Sequence, residues 1–403
     1  MPPYVLVWLL LIFAWAANFV IRIGFSALLP SIMSELSLSY TRAGLLASAF
    51  FYAYVIMQIP SGLLGDRYGR RRILLLGLLG GALSAGLTGL AGSFAALFTV
   101  RALTGAFQGS LFSNDRAIIA TVTPPDRIGL GQGVSFAGPG LGLTAGLVIG
   151  GLLVEVLPWR TVMMLFGLGP IAAALLIARF VPSPAPSPAQ EPLGRRLGGL
   201  FANGPLWLLA LASLCAIANQ FILATWAPLF FQEAGVTDVG RAGIYAALQG
   251  IAASLGMIVG GFTHDRLARR GFESKTVIVA GLAALALSML AMAAVIAQRS
   301  VPALAILLFL AAFFCWSIWG AVYTLLGRMV RAEDLGAAFG WSNSISFLGA
   351  IVGPIATGWA RDLTGSFSAG CLLAAVLAAA GVALVGGVRA PRQPVLAPAE
   401  RRG

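Results

Sequence analysis

Long apolar runs separated by short polar or charged connections fill almost the whole chain. They lie near 4–30, 41–62, 73–92, 94–118, 129–155 and 160–181, then near 205–231, 241–263, 276–298, 301–326, 335–360 and 366–388. A helix needs roughly 20 apolar residues to cross the hydrocarbon core of a bilayer, so each run predicts one crossing and together they predict twelve. Between the sixth and seventh the pattern lapses into Val181-Pro182-Ser183-Pro184-Ala185-Pro186-Ser187-Pro188, which opens a Pro/Ser-rich connection running to about Gly204 and reads as a linker. The expected organisation is a six-helix half over 1–181, a cytoplasmic linker over 182–204, a second six-helix half over 205–388 and a basic, Pro-rich cytoplasmic tail over 389–403. The first run has no basic stretch ahead of it and is too long for a secretory signal, so it is expected to remain as a span.

One connection stands apart. Gly62-Leu63-Leu64-Gly65-Asp66-Arg67-Tyr68-Gly69-Arg70-Arg71-Arg72 places an acid and several arginines between two apolar runs and reads as a short charged turn. A weaker copy occurs at Gly261-Phe262-Thr263-His264-Asp265-Arg266-Leu267-Ala268-Arg269-Arg270, where Gly62, Asp66, Arg67, Arg70 and Arg71 fall on Gly261, Asp265, Arg266, Arg269 and Arg270 at a constant offset of 199 residues. That offset is about half the chain and marks an internal repeat.

Composition agrees with a membrane protein: 59% of residues are hydrophobic and 10% charged, against about 25% charged in soluble domains. The net charge of +12 therefore belongs to topology rather than to nucleic-acid binding. With the N terminus inside, 19 of the 26 Lys/Arg fall on cytoplasmic segments, 5 on outer loops (Arg42, Arg160, Arg241, Arg299, Arg361) and 2 within spans. This bias places both termini in the cytoplasm of a cell (inner or plasma) membrane. The 14 acids divide 9 inside and 5 outside and do not set orientation.

The two mid-span cations are Arg22 and Arg101. A charge at bilayer depth costs from about 2.5 to over 10 kcal/mol, so each needs a partner or a wet cavity, and no Asp or Glu occupies the middle of a predicted span to serve as one. Arg101, Gln108 and Asp115 are spaced by seven, which leaves about 20° of drift on a helix, so they are expected on one stripe lining something polar. Arg116 is expected to point elsewhere and to join the cytoplasmic charge of Arg127. For Asp115 an ion pair near the inner surface competes with a role in transport. The glycines between Gly129 and Gly151, with small residues four apart, predict close backbone contact between helices. Cys215, Cys315 and Cys371 have no paired spacing and are expected to be buried thiols. The single histidine, His264, lies in a cytoplasmic loop with no nucleophile pattern or metal-ligand spacing around it. Neither an enzyme, nor a metal site, nor a cofactor site is expected.

The motif Gly62-x-x-Gly65-Asp66-Arg67-x-Gly69-Arg70-Arg71 resembles the loop 2–3 signature of the major facilitator superfamily, and the stretch 261–270 resembles its degenerate second copy. Within that superfamily the chain resembles the anion:cation symporter family, which includes sugar-acid transporters and the sialin and vesicular glutamate transporter group. The likeness is carried by Ala53-Tyr54-Val55-Ile56-Met57-Gln58-Ile59-Pro60 in span 2, by Asn219 to Gly235 with Ala224-Thr225-Trp226-Ala227-Pro228 in span 7, by His264 to Gly271, and by Gly340-Trp341-Ser342-Asn343 through Gly353-Pro354 in span 11.

The resemblance implies an all-α fold of twelve membrane helices in two six-helix halves related by pseudo-two-fold symmetry, working as a monomer by alternating access on a small organic anion such as a carboxylate or sugar acid. It implies that Arg22 and Arg101 attract the substrate carboxylate, which a planar guanidinium matches as a bidentate fork. Tyr54 and Asn343 fall at substrate-contacting positions, and Gln108, Asn219 and Ser342 complete the expected set. Asp66 is expected to hold the halves together at the cytoplasmic ends, within a gating motif of Gly62, Asp66, Arg67 and Arg70 and its echo Asp265 and Arg266. Where the family often carries an Asp before the span 1 arginine and a Glu seven residues after the span 4 arginine, this chain has Ile21 and Gln108, and neither can titrate. Three modes remain open: Asp115 carries the proton, another cation couples, or the protein is a uniporter or exchanger. Proton-coupled efflux of lipophilic compounds and a non-transporting anion receptor are the competing readings.

Overall fold

The computed structural model describes residues 2–124, 127, 131, 134, 135, 137–183, 199–330 and 335–388, with the backbone alone at 59, 63, 66 and 335–337. These residues form sixteen helices: α1 (Pro3–Leu36), α2 (Tyr40–Tyr68), α3 (Arg70–Leu90), α4 (Phe94–Gln108), α5 (Leu111–Val122), α6 (Ala137–Val156), α7 (Trp159–Phe166), α8 (Leu168–Phe180), α9 (Gly204–Glu233), α10 (Val239–Arg269), α11 (Ser274–Gln298), α12 (Val301–Ser317), α13 (Trp319–Met329), α14 (Leu335–Phe347), α15 (Gly349–Thr364) and α16 (Phe367–Gly386).

Four pairs are single crossings interrupted by a residue or two: α4 with α5, α7 with α8, α12 with α13, and α14 with α15. Twelve crossings result, as the hydropathy pattern requires. Among the described residues nine helical segments are long and apolar enough to cross a membrane. The other three crossings are α2, α4–α5 and α14–α15, and they carry Tyr54, Arg101, Gln108, Asp115, Ser342 and Asn343.

The charged motif is more helical than the sequence suggests. α2 continues through Gly62, Gly65 and Arg67 and stops at Gly69, whose φ of 101° an L side chain rarely adopts. α3 starts on the next residue. In the second copy α10 runs to Arg269 and the turn falls at Gly271, φ 83°. The run of charges reads as a loop on hydropathy, but its residues are compatible with helix, and only the glycine supplies a break. Gly65 also has no room for a Cβ, because the Asn114 side chain occupies that space.

The glycine stripe of α6 packs on α1. A Cβ at Gly138, Gly142, Gly146 or Gly150 would meet the Ile12 carbonyl, the Ala16 carbonyl, the Gly24 N–H or the Ala27 Cβ in turn. The neighbouring face of α6, through Gly140 and Gly151, lies on α10 at Ser254 and at Gly240 and Gly243. Without a hydrophobic drive between helices in lipid, such close approach supplies the packing energy.

Two seams join the halves on the side away from the N terminus. Along α2 and α15, Gly44 abuts the Pro354 carbonyl and Gly358 the Tyr40 carbonyl. The Asp362 carboxylate accepts from the Tyr40 N–H at 2.9 Å and the Thr41 N–H at 2.8 Å, capping the start of α2. Along α6 and α10, Glu155 accepts from the Gly240 N–H at 2.8 Å. Asp238 caps α10, and the Arg241 N–H that it accepts holds its carboxyl below the usual carboxylate range. Within each half, Glu35 pairs with Arg160, and Glu233 pairs with Arg361 at 2.9 Å. All five acids expected on the outer side are thus engaged at helix ends.

The expected linker over 182–204 lies mostly outside the described residues; its described end, 199–203, begins in a short helical stretch. The tail from 389 on lies outside them as well. Cys215, Cys315 and Cys371 are buried and free.

Candidate functional site

Between the seams and the face that bears the N terminus lies a partly open central cavity, with about 690 Å³ of empty space including its mouth. α1 contributes Trp15, Phe19 and Arg22, spaced at four and three residues so that they share one face. α9 contributes Ile217, Gln220 and Phe221, and α12–α13 contribute Trp316, Trp319 and Tyr323. Tyr54 of α2 and Asn343 and Phe347 of α14 close it from the side. Beyond Arg22 the cavity is roofed by an aromatic cluster across the two halves. Phe51 sits edge-on to Phe221 with ring centroids 4.4 Å apart, and Tyr54 lies 5.2 Å from Phe347.

Arg22 is 3% exposed. Its guanidinium carbon lies 4.6, 4.4, 5.8 and 4.8 Å from the ring centroids of Phe19, Phe50, Phe51 and Tyr54. Cation–π contact offsets part of the cost of burying the charge, about 2 kcal/mol per desolvated pair, but does not satisfy every donor. Nη2 makes one long contact of 3.4 Å with the Gln108 side-chain oxygen, and Nε has no hydrogen-bond partner among the described residues. No carboxylate among the described residues pairs with Arg22 or with Arg101. Both are buried, and neither turns outwards to headgroup level.

Arg101 lies behind the wall. It is 2% exposed, stacks on Phe25 at 4.1 Å and lies 5.9 Å from the centroid of the same Phe50 that Arg22 covers. Its Nε and Nη1 are buried without partners among the described residues. Two guanidiniums therefore share one aromatic ring, with Arg22 alone among the lining residues.

The remaining expected site residues divide in the same way. Tyr54 and Asn343 line the cavity, and Asn343 donates to the Gln58 side-chain oxygen at 2.7 Å, bridging α14 to α2. Gln108, Asn219 and Ser342 are buried behind it. Gln108 approaches the Asn18 carbonyl at 3.5 Å, and Asn219 donates to the Cys215 carbonyl of its own helix at 3.0 Å.

The expected stripe on span 4 meets α1 along its length: Arg101 stacks on Phe25, Gln108 contacts Arg22 and Asn18, and Asp115 accepts from Trp15. The helix is interrupted at Gly109 and Ser110, where the Ser110 N–H bonds the Phe107 carbonyl three residues back. Phe112 and Arg116 are the residues of α5 that line the cavity. This corrects the expectation that Arg116 points away from it. Arg116 pairs with Asp115, which is 1% exposed and also accepts from the Trp15 indole at 2.7 Å.

In the gating motif Arg70 donates to the Gly62 carbonyl at 3.3 Å, Arg71 to the Ala178 carbonyl, and Arg67 lies 5.3 Å from the Tyr68 ring. Asp265 is exposed and contacts His264, which is held from its other side by Ser274. The Asp66 side chain, and with it the expected role in holding the halves together, lies outside the described residues. Among the described residues no cluster of His, Cys, Asp and Glu could hold a metal ion.

Sequence reasoning missed most of the wall. A signal was present for Trp316, Trp319 and Tyr323, spaced three and four apart on one face of span 10. None was present for Gln220, because α9 is buried nearly all round and has no polar face to stand out.

The model of the major facilitator superfamily matches residues 7–272 and 267–403. The chain belongs to that superfamily. It is 26% identical to a probable sulfoacetate transporter of Cupriavidus necator, over 89% of this chain and 88% of the relative. It is 27% identical to a hexuronate transporter of Bacillus subtilis, over 92% and 91%, and 27% identical to a probable L-galactonate transporter of Escherichia coli, over 93% and 86%. Among solved structures, a bacterial homolog of the human lysosomal transporter Spinster, in an inward-facing and occupied conformation, superposes with a TM-score of 0.75 at 19% identity, covering 96% of this chain and 95% of that one. The major facilitator fold of twelve helices in two pseudo-symmetric halves follows, and the protein is a multi-pass membrane protein.

Proposed function

We propose that this chain moves a small organic anion, bearing a carboxylate or sulfonate, across the membrane by alternating access. The observation that carries the reading is Arg22: a buried guanidinium on the wall of a partly open cavity, with an unpartnered Nε and no acid among the described lining residues. A travelling anion supplies the charge the protein withholds. The relatives named above are described as transporters of sulfoacetate, hexuronate and L-galactonate, which all carry such a group. Arg101 is placed to take the anion once Phe50 moves aside. The proposed contacts are Arg22, Tyr54 and Asn343 in this conformation and Arg101 and Gln108 behind them, with Asn219 and Ser342 shaping the cavity from the second half. Efflux of lipophilic cations would call for a cavity carboxylate.

Closed seams on one side and a cavity towards the other describe one end state of the cycle. With both termini in the cytoplasm, as the Lys/Arg bias favours, the state is inward-facing in an inner or plasma membrane. The halves 1–181 and 205–388 would then rock about the cavity. Ile21 and Gln108 leave no carboxyl group beside the arginines among the described residues, and Asp115 is engaged by Arg116 and Trp15. This inventory favours exchange or uniport over proton symport. Asp115→Asn should leave the pH dependence of uptake unchanged; its loss would make Asp115 the proton carrier.

Arg22→Ala is expected to abolish anion binding in purified protein while leaving the fold intact. Arg22→Lys should weaken it by at least about tenfold, since an ammonium lacks the bidentate fork. Binding at parental strength in Arg22→Ala would remove the anion assignment.

A further inference from the structure

We propose that the anion is a compact aromatic carboxylate with one further hydrogen-bonding group, not a polyhydroxylated sugar acid. The inference rests on the anion reading above and narrows it. On the terminal side of Arg22 the cavity is walled by rings: Trp15 and Phe112 from one half face Trp316, Trp319 and Tyr323 from the other. Trp15 precedes Arg22 by seven residues, about 10 Å along the helix, so an anion held at the guanidinium projects its body into this aromatic space.

Several polar groups on the wall are already engaged, among them the Trp15 indole on Asp115. Arg116 is paired with Asp115, and the Asn343 amide donates to Gln58. Among the described lining residues, two buried polar atoms lack a partner: Arg22 Nε and Gln220 Oε1, with Gln220 itself 7% exposed. One anionic group and one donor satisfy both. A sugar acid brings a hydroxyl on nearly every carbon, more than this mainly aromatic wall can partner, and each hydroxyl that leaves water without a partner is unfavourable. A flat ring gains from the same faces by stacking and apolar burial.

The test is ligand-induced thermal stabilisation of the purified full-length protein, with benzoate, 3-hydroxybenzoate, D-glucuronate and benzyl alcohol as probes. The expected order is 3-hydroxybenzoate above benzoate, both well above D-glucuronate, with no shift from benzyl alcohol. Gln220→Ala should abolish the advantage of 3-hydroxybenzoate over benzoate. Trp316→Ala, in a partly exposed position, should weaken benzoate about tenfold at unchanged ligand-free melting temperature. D-glucuronate binding as well as or better than the benzoates would overturn the aromatic class and leave the anion reading standing. Stabilisation by no carboxylate, or by benzyl alcohol as strongly as by benzoate, would overturn both.

Discussion

Arg22 stands out because its burial is only half compensated. Four rings surround its guanidinium, yet Nε finds no acceptor among the described residues and the hydrogen bond to the Gln108 side-chain oxygen is long. Buried donors of this kind are costly, and a ligand that accepts from them recovers that cost on binding. Gln108→Glu would place a carboxylate against Arg22 and should compete with the substrate. The expected outcome is a weaker anion affinity whose recovery at low pH tracks protonation of the new acid, read by binding measured across pH. The sequence alone made Arg22 conspicuous, since a charge deep in an apolar run needs an explanation. It could not show that Arg101 sits behind Phe50 or that Gln220 rather than Asn219 reaches the cavity. Those outcomes depend on side-chain packing among helices that are apolar on every face.

Helix breaks and glycine contacts decide where those side chains go. Span 4 turns at Gly109 and Ser110, and beyond the turn Phe112 and Arg116 lie on the wall while Arg101, Gln108 and Asp115 all remain against α1. The spacing argument held for those three residues and misplaced only Arg116, which pairs with Asp115 and lines the cavity. The glycine stripe of span 5 was readable, because small residues four apart have few other uses in a membrane helix. Gly142→Val would drive a branched side chain against the Ala16 carbonyl of α1. It should cost about 1–3 kcal/mol of stability, visible as a lower melting temperature in detergent. At the ends of the helices, Asp362→Ala removes the acceptor of the Tyr40 and Thr41 N–H groups. Loosening of this seam should raise the reactivity of a cysteine placed at Thr41 towards a membrane-impermeant reagent added outside; unaltered labelling would show that the seam does not gate.

Over the whole molecule, the internal offset of 199 residues corresponds to two halves that meet along α2 with α15 and α6 with α10. Both seams lie at the same side and the cavity opens towards the other, so closing one end while opening the other requires the halves to tilt about Arg22. By resemblance Asp66 is expected to latch the opposite state. Asp66→Asn should impair transport in a folded protein, and unchanged uptake kinetics would deny it that role. The fold, the repeat and the charge asymmetry were legible before any coordinates because they follow from long-range composition and hydropathy. The cavity's chemistry was not, because it is assembled from single residues on seven or more helices. Counterflow in proteoliposomes, using labelled aliphatic, aromatic and sugar carboxylates with the parent and Arg22→Ala side by side, tests the central claim most directly. The account predicts exchange of at least one of these anions by the parent and of none by a correctly folded Arg22→Ala; parental exchange rates in that variant, or no exchange of any anion by the parent, would contradict it.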